Sequence, residues 1–480
     1  MAEERSPGVK LLLVGLVGAA LMIPLIMVYW LVSDRQHQAR VAQQSITAGW
    51  AGAQVVSGPL LVLPYTDIRE TSEVVDGKTI TRRTEVRDTL YLSPKVQDID
   101  TEIAPEVRSR GIIHQLVVYE AAIKGSARFE IPDDLNRFGI ERDQLLLEEA
   151  WLQLPISDPG GLQTNATLKA GGEALDLRPG LGAGQSGTGV HGFVDWSEGE
   201  PLEVAFDYAI RGSSAFGMVP RGEESNFSAR STWPHPSFAG KFLPGDSDRE
   251  VGADGFSAKW SISNLAIGQS LVRTDQPGLP NASASTEDWN TSEFYGEMPM
   301  GGGEELATIR LVEPVDLYKQ IERSLKYGFL FIGFTFLAFL MFDIVAGARV
   351  ASAEYLLTGA GLILFFVMLT AFAEMIGFVW AYVTASAAII GLLTSYSAAV
   401  LGGWKRAGMI GGLLAGLYAV LYVLLNLEAW SLVIGSLMLF FALAGVMYGT
   451  RNIEWSKVGL GDKSGESEFD GGKEYSGSPA

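Results

Sequence analysis

The stretch VKLLLVGLVGAALMIPLIMVYWLV, from Val9 to Val32, is an apolar run near the start of the chain that contains one charged side chain, Lys10. Its length matches the roughly 20 residues that an α-helix needs to cross the hydrocarbon core of a bilayer. The run is longer than the apolar core of a secretion signal, and no small-residue cleavage site follows it. We interpret it as an uncleaved membrane anchor.

Five further apolar runs crowd into the last third of the chain: Tyr327–Gly347, Tyr355–Ala373, Ile376–Leu401, Gly408–Leu427 and Trp430–Tyr448. The sequence therefore predicts an α+β membrane protein with six transmembrane helices, one N-terminal and five C-terminal, and a large β-rich extracytoplasmic domain. The predicted segments are a cytoplasmic N-terminus (1–8), an anchor helix (9–32), a periplasmic β-rich domain (33–326), a five-helix bundle (327–448) and a largely disordered cytoplasmic tail (449–480).

The short loops between the apolar runs predict the orientation of the chain. Lys405 and Arg406 fall on one side of the predicted bundle, whereas Glu374 and Glu428 fall on the other. Short cytoplasmic loops carry an excess of Lys and Arg, while long domains translocate largely regardless of charge. Both termini are therefore expected in the cytoplasm and the domain 33–326 outside it.

The long segment between the first two apolar runs is expected to fold mainly as β-structure. Alternating or β-branched stretches bounded by turn residues are typical of strands, and they occur at Pro59–Pro64, Val107–Tyr119, Leu202–Ile210, Phe256–Ile262 and Leu306–Val312. Asp76-Gly77 is a two-residue hairpin signal. The polar stretch Arg35–Ala48 is the exception, and we interpret it as a continuation of the first helix out of the bilayer.

The chain is acidic and contains no cysteine. It has 36 Lys and Arg against 55 Asp and Glu, a net charge of −19, and no cluster of basic residues of the kind that phosphate binding requires. We therefore exclude a nucleic-acid partner, while the bilayer and envelope proteins are the expected partners and the oligomeric state is open. The lack of cysteine excludes disulfides, thiolate metal sites and cysteine nucleophiles.

Sequence motifs for catalysis are weak. The string from Gly182 to Gly187 matches GxGxxG, but it lacks the βαβ frame of a dinucleotide-binding turn, so we interpret it as a flexible loop. The four histidines, His37, His114, His191 and His235, do not have metal-ligand spacing. We expect no cofactor, no metal site and no catalytic residues.

The predicted membrane helices carry hydroxyl and amide groups rather than charges in their interiors. A central charge is costly and usually marks an ion or proton path, but Asp343, Glu374 and Glu428 lie near predicted helix ends. This pattern disfavours a proton-driven transporter. Gly412 and Gly416 form a GxxxG pair, which we interpret as ordinary bundle packing rather than a dimer interface.

The most unusual string of the β-rich segment is Trp233-Pro234-His235-Pro236-Ser237-Phe238. Proline fixes φ at about −65° and pushes the residue before it toward extended geometry. The aromatic side chains are therefore held on a stiff, non-helical segment, which is either a buried corner or a presented contact surface. We favour the buried corner, because the prolines leave little freedom to adapt to a partner.

This string, with residues spread over nearly the whole chain, resembles the CreD family of bacterial inner-membrane proteins. The matching positions are Trp50, Gly52, Gln54, Gly58-Pro59, Pro64-Tyr65, Arg108 to Gly111, Val118-Tyr119, Ile156-Ser157-Asp158, Gly255-Phe256, Trp260, Pro314-Val315-Asp316, Tyr318 and Lys326-Tyr327. The resemblance implies a cell-envelope integrity protein tied to a stress response, with a β-rich periplasmic domain between an anchor and a C-terminal bundle. It implies no catalytic residues.

We therefore predict a non-enzymatic, multi-pass protein of the bacterial inner membrane that supports envelope integrity or a stress response. Two alternatives stay open. A transporter or flippase-like bundle with a periplasmic substrate domain would be favoured by a water-filled cavity lined by Thr384, Ser386 and Asn426. A membrane-anchored periplasmic hydrolase would require His114, His191 or His235 to lie within hydrogen-bond reach of a serine and an acid.

Overall fold

The computed structural model describes residues 7–75, 78–110, 114–278, 306–312, 317–345, 352–400, 403–426 and 431–451. The chain divides into two compact units, Ala39–Pro314 and a unit that joins Met1–Gln38 to Val315–Ala480. The predicted turn residues Asp76 and Gly77 and most of the predicted tail, residues 452–480, lie outside the described residues. The fold is α+β, with a β-rich unit between the first helix and the later ones.

Apart from the short α2, each helix of the described chain overlaps one of the predicted apolar runs. They are α1 (Pro7–Trp50), α2 (Asn264–Ile267), α3 (Leu317–Val345), α4 (Ser352–Ile376), α5 (Phe378–Val400), α6 (Trp404–Asn426) and α7 (Ser431–Thr450). α1 runs through Pro24 and includes the polar stretch 35–48, which confirms that the anchor helix continues beyond its apolar part. α3 begins at Leu317 instead of Tyr327.

Four helical stretches are long and apolar enough to cross a membrane. One is N-terminal and three are C-terminal: Leu12–Trp50, Ala353–Ile376, Phe378–Val400 and Trp404–Leu425. Among the residues whose side chains are described, α3 and α7 do not present an apolar stretch of that length. The structure thus supports four of the six predicted spans.

Aromatic rings form the core of the helical unit. The ring centroid of Tyr418 on α6 lies 4.5 Å from that of Phe331 on α3 and 4.6 Å from that of Phe365 on α4, both edge to face. The Tyr382 hydroxyl of α5 donates to the Tyr418 carbonyl at 2.7 Å. Four side chains of α1 are buried in the same core: Leu21, Leu25, Val28 and Val32. The first helix is therefore packed with the later ones and is not a separate anchor.

The glycine that lets α5 and α6 approach is Gly411. A Cβ atom there would lie 2.5 Å from Thr394 Oγ1, whereas one at Gly412 or Gly416 would have nothing within 4 Å. Within the described part of the chain, the GxxxG pair therefore does not take part in the bundle packing that we expected of it. Its two glycines are exposed.

The described strands of the Ala39–Pro314 unit form three sheets. The strands are β1 (Gln54–Ser57), β2 (Leu60–Val75), β3 (Lys78–Leu92), β4 (Val96–Arg110), β5 (His114–Phe129), β6 (Trp151–Pro155), β7 (Thr167–Ala170), β8 (Glu173–Ala174), β9 (Arg178–Pro179), β10 (Gly189–Phe193), β11 (Leu202–Ser213), β12 (Ala215–Val219), β13 (Glu224–Ser231), β14 (Pro236–Gly240), β15 (Arg249–Gly252), β16 (Gly255–Ser263), β17 (Val272–Arg273) and β18 (Ala307–Leu311). Their orders are β1-β12-β18-β14, β17-β3-β2-β6-β10-β9 and β15-β16-β13-β4-β5-β11-β7-β8.

Most of the predicted strands are present, and one prediction is wrong. β2 and β3 pair with Val75 opposite Lys78, as the hairpin signal between them predicts. The single strand predicted from Val107 to Tyr119 is instead parts of β4 and β5, which pair antiparallel with Val107 opposite Val117. Its β-branched residues belong to two strands because the chain reverses between them, and strand propensity alone does not distinguish the two cases.

One apolar core is shared by the three sheets. β11 alternates buried and exposed side chains from Leu202 to Ile210, the pattern of a strand with one face in the core and one in water. Within that core the Phe206 ring lies against Gly125 of β5, where a Cβ atom would overlap it. Side chains of the other two sheets, among them Leu61 and Phe216, complete the same cluster.

Candidate functional site

Helix α1 ends at an aromatic and cationic stack. The guanidinium carbons of Arg108 and Arg211 lie 3.6 and 4.3 Å from the centre of the Trp50 ring, within the range of a cation–π interaction. The Trp50 indole also donates to the Tyr119 carbonyl at 3.4 Å. Since these partners belong to β4, β5 and β11, one side chain connects the helix end to three adjacent strands. We call this stack, with Gln54, Ser157 and Asp158, the Trp50 junction.

A buried amide holds the second half of the Trp50 junction. Gln54 is fully buried, and its Nε2 donates to the carbonyl oxygens of Asp158 and Arg211 at 3.0 and 2.8 Å. Its Oε1 accepts from Ser157 Oγ at 3.2 Å and from the Asp158 backbone N–H at 3.3 Å. The amide therefore makes all four hydrogen bonds that its groups allow. The Asp158 carboxylate accepts in turn from the Gly52 N–H at 3.4 Å.

Tyr119 supports the junction from the core side. It is fully buried, and its hydroxyl donates to the Ala215 carbonyl at 2.6 Å. Burial raises the pKa of Tyr119 well above its ordinary value, because the ionised phenolate would lose its hydration. The group therefore stays protonated and acts as a structural donor. Gly212 leaves the room it needs, since a Cβ there would overlap the phenol ring.

The structure brings together several positions that carried the sequence resemblance. Trp50, Gly52, Gln54, Arg108, Tyr119, Ser157 and Asp158 all contribute to the junction. Sequence reasoning found these positions but not their contacts, and it missed Arg211 altogether. Arg211 lies in a strand whose buried and exposed side chains alternate, and its local sequence is like that of other exposed arginines. Only the strand register distinguishes it, because the register sets Arg211 opposite Glu120.

The Trp233–Phe238 segment lies at the edge of a sheet. It leads into β14, the last strand of the four-stranded sheet, and Trp233 is half-buried rather than enclosed in a corner. Its indole N–H donates to the Val312 carbonyl at 3.1 Å. Phe238, also half-buried, stands edge-on to Phe256 and Trp260 at centroid distances of 5.8 and 5.9 Å. Both side chains pack against the apolar core without being fully enclosed, so the preference for a buried corner stays a prediction.

The two prolines of this segment have a structural use at that edge. Pro236 begins β14 opposite Leu311, and the carbonyl of His235 accepts from the Val312 N–H at 3.3 Å. Proline has no N–H to offer an added strand, so prolines near an edge hinder edge-to-edge pairing. His235 itself is exposed. The segment therefore pairs with β18 on one side, and its prolines hinder pairing with a further strand on the other.

The glycine-rich string is a loop, as predicted, and hydrogen bonds hold it in place. The carbonyl of the neighbouring Leu181 accepts a hydrogen bond from the Trp151 indole N–H at 3.0 Å. The Gln185 side-chain oxygen accepts one from the Tyr91 hydroxyl. His191 Nδ1 lies 3.0 Å from the Gly180 carbonyl oxygen, so this histidine is a structural residue. Among the residues that the structure describes, no group of three His, Asp or Glu side chains could hold a metal ion.

The polar groups of the helical unit are used locally. Thr384 Oγ1 donates to the Trp380 carbonyl at 2.8 Å, and Ser386 Oγ donates to the Tyr382 carbonyl at 2.7 Å. Such bonds to the preceding helical turn satisfy a hydroxyl without lining an aqueous path. The third residue of the transporter alternative, Asn426, has a side chain that lies outside the described residues.

The fold and the Trp50 junction define a class of protein: an α-helical membrane protein with a large β-rich unit tied to the end of its first helix. The family model of inner membrane protein CreD matches residues 6–456. The chain belongs to the CreD family and is a multi-pass protein of the inner membrane.

One individual relative supports the family assignment, and one solved structure shows only a weak similarity. The chain is 29% identical over 447 residues to the inner membrane protein CreD of Escherichia coli (strain K12), and the match covers 92% of each chain. A crystal structure of a Legionella pneumophila protein described as nutrient-binding is 9% identical and covers 62% of this chain and 85% of its own, with a TM-score of 0.26. That similarity does not establish a shared fold.

We expect Trp50→Leu to lower the free energy of unfolding by about 2 kcal/mol, since it removes two partly exposed cation–π contacts and one hydrogen bond. Thermal unfolding of the purified chain, followed by its β-sheet circular dichroism, measures the change. Arg108→Met should cost less, and in the double variant the two effects should not add, because both remove the same contact. Arg137→Met, an exposed arginine with only Asp134 nearby at 3.7 Å, is the control and should change nothing.

Trp233→Ala should destabilise the β-rich unit by about 2 kcal/mol, less than the 3 to 5 kcal/mol of a fully buried tryptophan. Trp233→Phe keeps most of the apolar contact and loses only the hydrogen bond to Val312, so it should cost about 1 kcal/mol. Melting temperature and the amount of protein in the membrane report both effects. A Trp233→Ala protein of normal stability and abundance that has lost its cellular function would instead make the segment a contact site.

Proposed function

We propose that this protein is a six-span, non-enzymatic protein that supports cell-envelope integrity or a stress response. Its β-rich unit then lies in the periplasm, and both of its termini lie in the cytoplasm. The observation that carries the proposal is the Trp50 junction, whose side chains are used to fix a folded β-rich unit to the helix end. Positions that resemble the family thus build a mechanical attachment and not a reactive centre.

The charges of the described helices support the proposed orientation. Lys405 and Arg406 lie in the first turn of α6, and Glu354 lies in that of α4. Glu374 lies in the last turn of α4. If α4 and α5 each cross the membrane once, Glu374 lies on the opposite side of the membrane from Lys405. Positive charge in short loops favours the cytoplasmic side. Six crossings, with α3 and α7 as the additional two, bring the N-terminus and the end of the chain to that same side.

The two alternatives receive less support from the side chains. The hydroxyls of Thr384 and Ser386 bond to their own helix, which does not favour a transport path. His191 is engaged by a backbone carbonyl, and His235 is exposed on the segment that leads into an edge strand. The side chain of His114 lies outside the described residues. Neither alternative has an observation of its own in its favour.

Reporter fusions test the proposed topology. Fusions after Ser33 and Glu428 should report the periplasm, and fusions after Arg349 and Arg406 should report the cytoplasm, because six crossings alternate these points across the bilayer. An alkaline phosphatase and a fluorescent protein, active on opposite sides, give the readout. Reversal at two or more of the four points would contradict six spans.

Removal of the protein tests the proposed role. Cells that lack the chain should leak periplasmic enzyme and become more sensitive to bile salts, and the intact chain should restore both. The Arg137→Met variant should restore them fully, whereas Trp50→Leu should do so poorly, because the β-rich unit is then less firmly attached. An envelope of unchanged permeability in cells without the protein, under envelope stress as well as in ordinary growth, would refute the proposed role.

A further inference from the structure

The exposed face of the eight-stranded sheet carries a groove of about 540 Å³. It crosses four neighbouring strands, β16, β13, β4 and β5, and is walled at one end by Asp248 of the short 3-10 helix Asp246–Asp248. We call it the open-face groove. Its volume falls within the range of pockets that take small ligands. Its exposed or half-buried side chains are charged or polar: Asp98, Asp100, Lys124, Ser126, Asn226, Ser228, Asp248, Lys259 and Ser261.

The strand register arranges these side chains in two rows. One row runs Lys259, Ser228, Asp100 and Lys124, and the other runs Ser261, Asn226, Asp98 and Ser126. Directly opposed residues on one face of a sheet lie close enough to interact. Both rows are therefore built by regular pairing, and the positions of their polar groups are fixed by the backbone of a large sheet.

Some of the charges in the groove are already engaged. Asp100 accepts from Ser228 Oγ at 2.5 Å and forms an ion pair with Arg230 at 3.2 Å. Lys124 forms an ion pair with Asp207 at 3.5 Å. These contacts hold the middle of the groove in place and leave little charge there for a ligand.

Three charges in the same groove are not neutralised. Within the part of the chain that the structure describes, the Asp98 carboxylate accepts a side-chain hydrogen bond only from the Asn226 amide, at 3.1 Å. Lys259 and Asp248 are exposed, and none of the three forms an ion pair with another residue of the described chain. Cross-strand pairs of opposite charge stabilise a sheet face. Here an ammonium group and two carboxylates face one concavity without pairing.

We propose that the open-face groove binds a zwitterionic molecule of short-peptide size. The carboxylate of the ligand would pair with Lys259 on β16, and its ammonium group would pair with Asp98, two strands away on β4. Ser126, Asn226 and Ser261 offer hydroxyl and amide groups for the peptide bonds between the two ends. Charge complementarity selects this ligand over a neutral polyol. A polyol would desolvate the Lys259 ammonium group and the carboxylates of the groove without pairing them. This ligand class does not depend on the role proposed above.

Triglycine, with both ends charged, is the probe, and N-acetyl-triglycine amide is its uncharged counterpart. Binding to the full-length protein in detergent is measured by saturation-transfer NMR and calorimetry. We expect triglycine to bind at millimolar concentration and the blocked peptide to bind about tenfold or more weakly, since charge-assisted hydrogen bonds contribute most of the affinity. Lys259→Ala and Asp98→Asn should each weaken triglycine binding by a similar factor.

Lys169→Ala is the matched control, because Lys169 is exposed on β7, near the other end of the same sheet and outside the groove. It should leave binding unchanged. Unaltered melting temperatures of the three variants would assign any change to the groove and not to the fold. Equal binding of the charged and blocked peptides, retention of affinity in Lys259→Ala, or no binding of triglycine at millimolar concentration would each overturn the proposal.

Discussion

The end of a helix that meets a sheet must find hydrogen-bond partners for its last backbone groups, and Ser213, two residues after Arg211 of the Trp50 junction, supplies one of them. Ala51 is buried at a φ of 143°, a conformation that costs a residue with a side chain on the order of 1 to 3 kcal/mol. Its N–H donates to the Thr47 carbonyl at 2.9 Å, and its carbonyl accepts from Ser213 Oγ at 3.0 Å. These bonds fix the strained residue. Because β1 starts at Gln54, they also fix where the sheet begins.

Hydrogen bonds satisfy the buried polar groups of the same junction. A buried amide or hydroxyl is costly unless its groups are paired, and the Gln54 amide has a partner at every position. Arg211 joins the stack from one side and pairs with Glu120 at 3.1 Å from the other. The Tyr119 hydroxyl is likewise paired, with the Ala215 carbonyl. These hydrogen bonds and cation–π contacts orient the end of α1 against the strands, which is what a mechanical attachment needs.

Sequence reasoning worked best where one physical requirement dominates. Apolar length predicted the helices, because a span must satisfy its backbone internally, and alternation predicted β11 and β16, because one face of each strand is buried. It failed where tertiary pairing decides. Nothing local shows that the residues from Val107 to Tyr119 belong to two strands, or that Gly411 and not Gly412 faces Thr394. The half-burial of Trp233 follows from the edge position of β14, which only the strand order reveals.

Gly58 shows how far a single residue can be understood once the fold is known. In the sequence, Gly58-Pro59 is a turn signal and part of a family resemblance. In the structure, a Cβ atom at position 58 would overlap the side-chain amide of Gln97, a fully buried residue of β4. Glycine is favoured there because the buried Gln97 side chain lies directly against the backbone, and not because φ is positive. The turn between β1 and β2 can therefore lie flat against β4, which keeps the start of the β-rich unit in contact with its largest sheet.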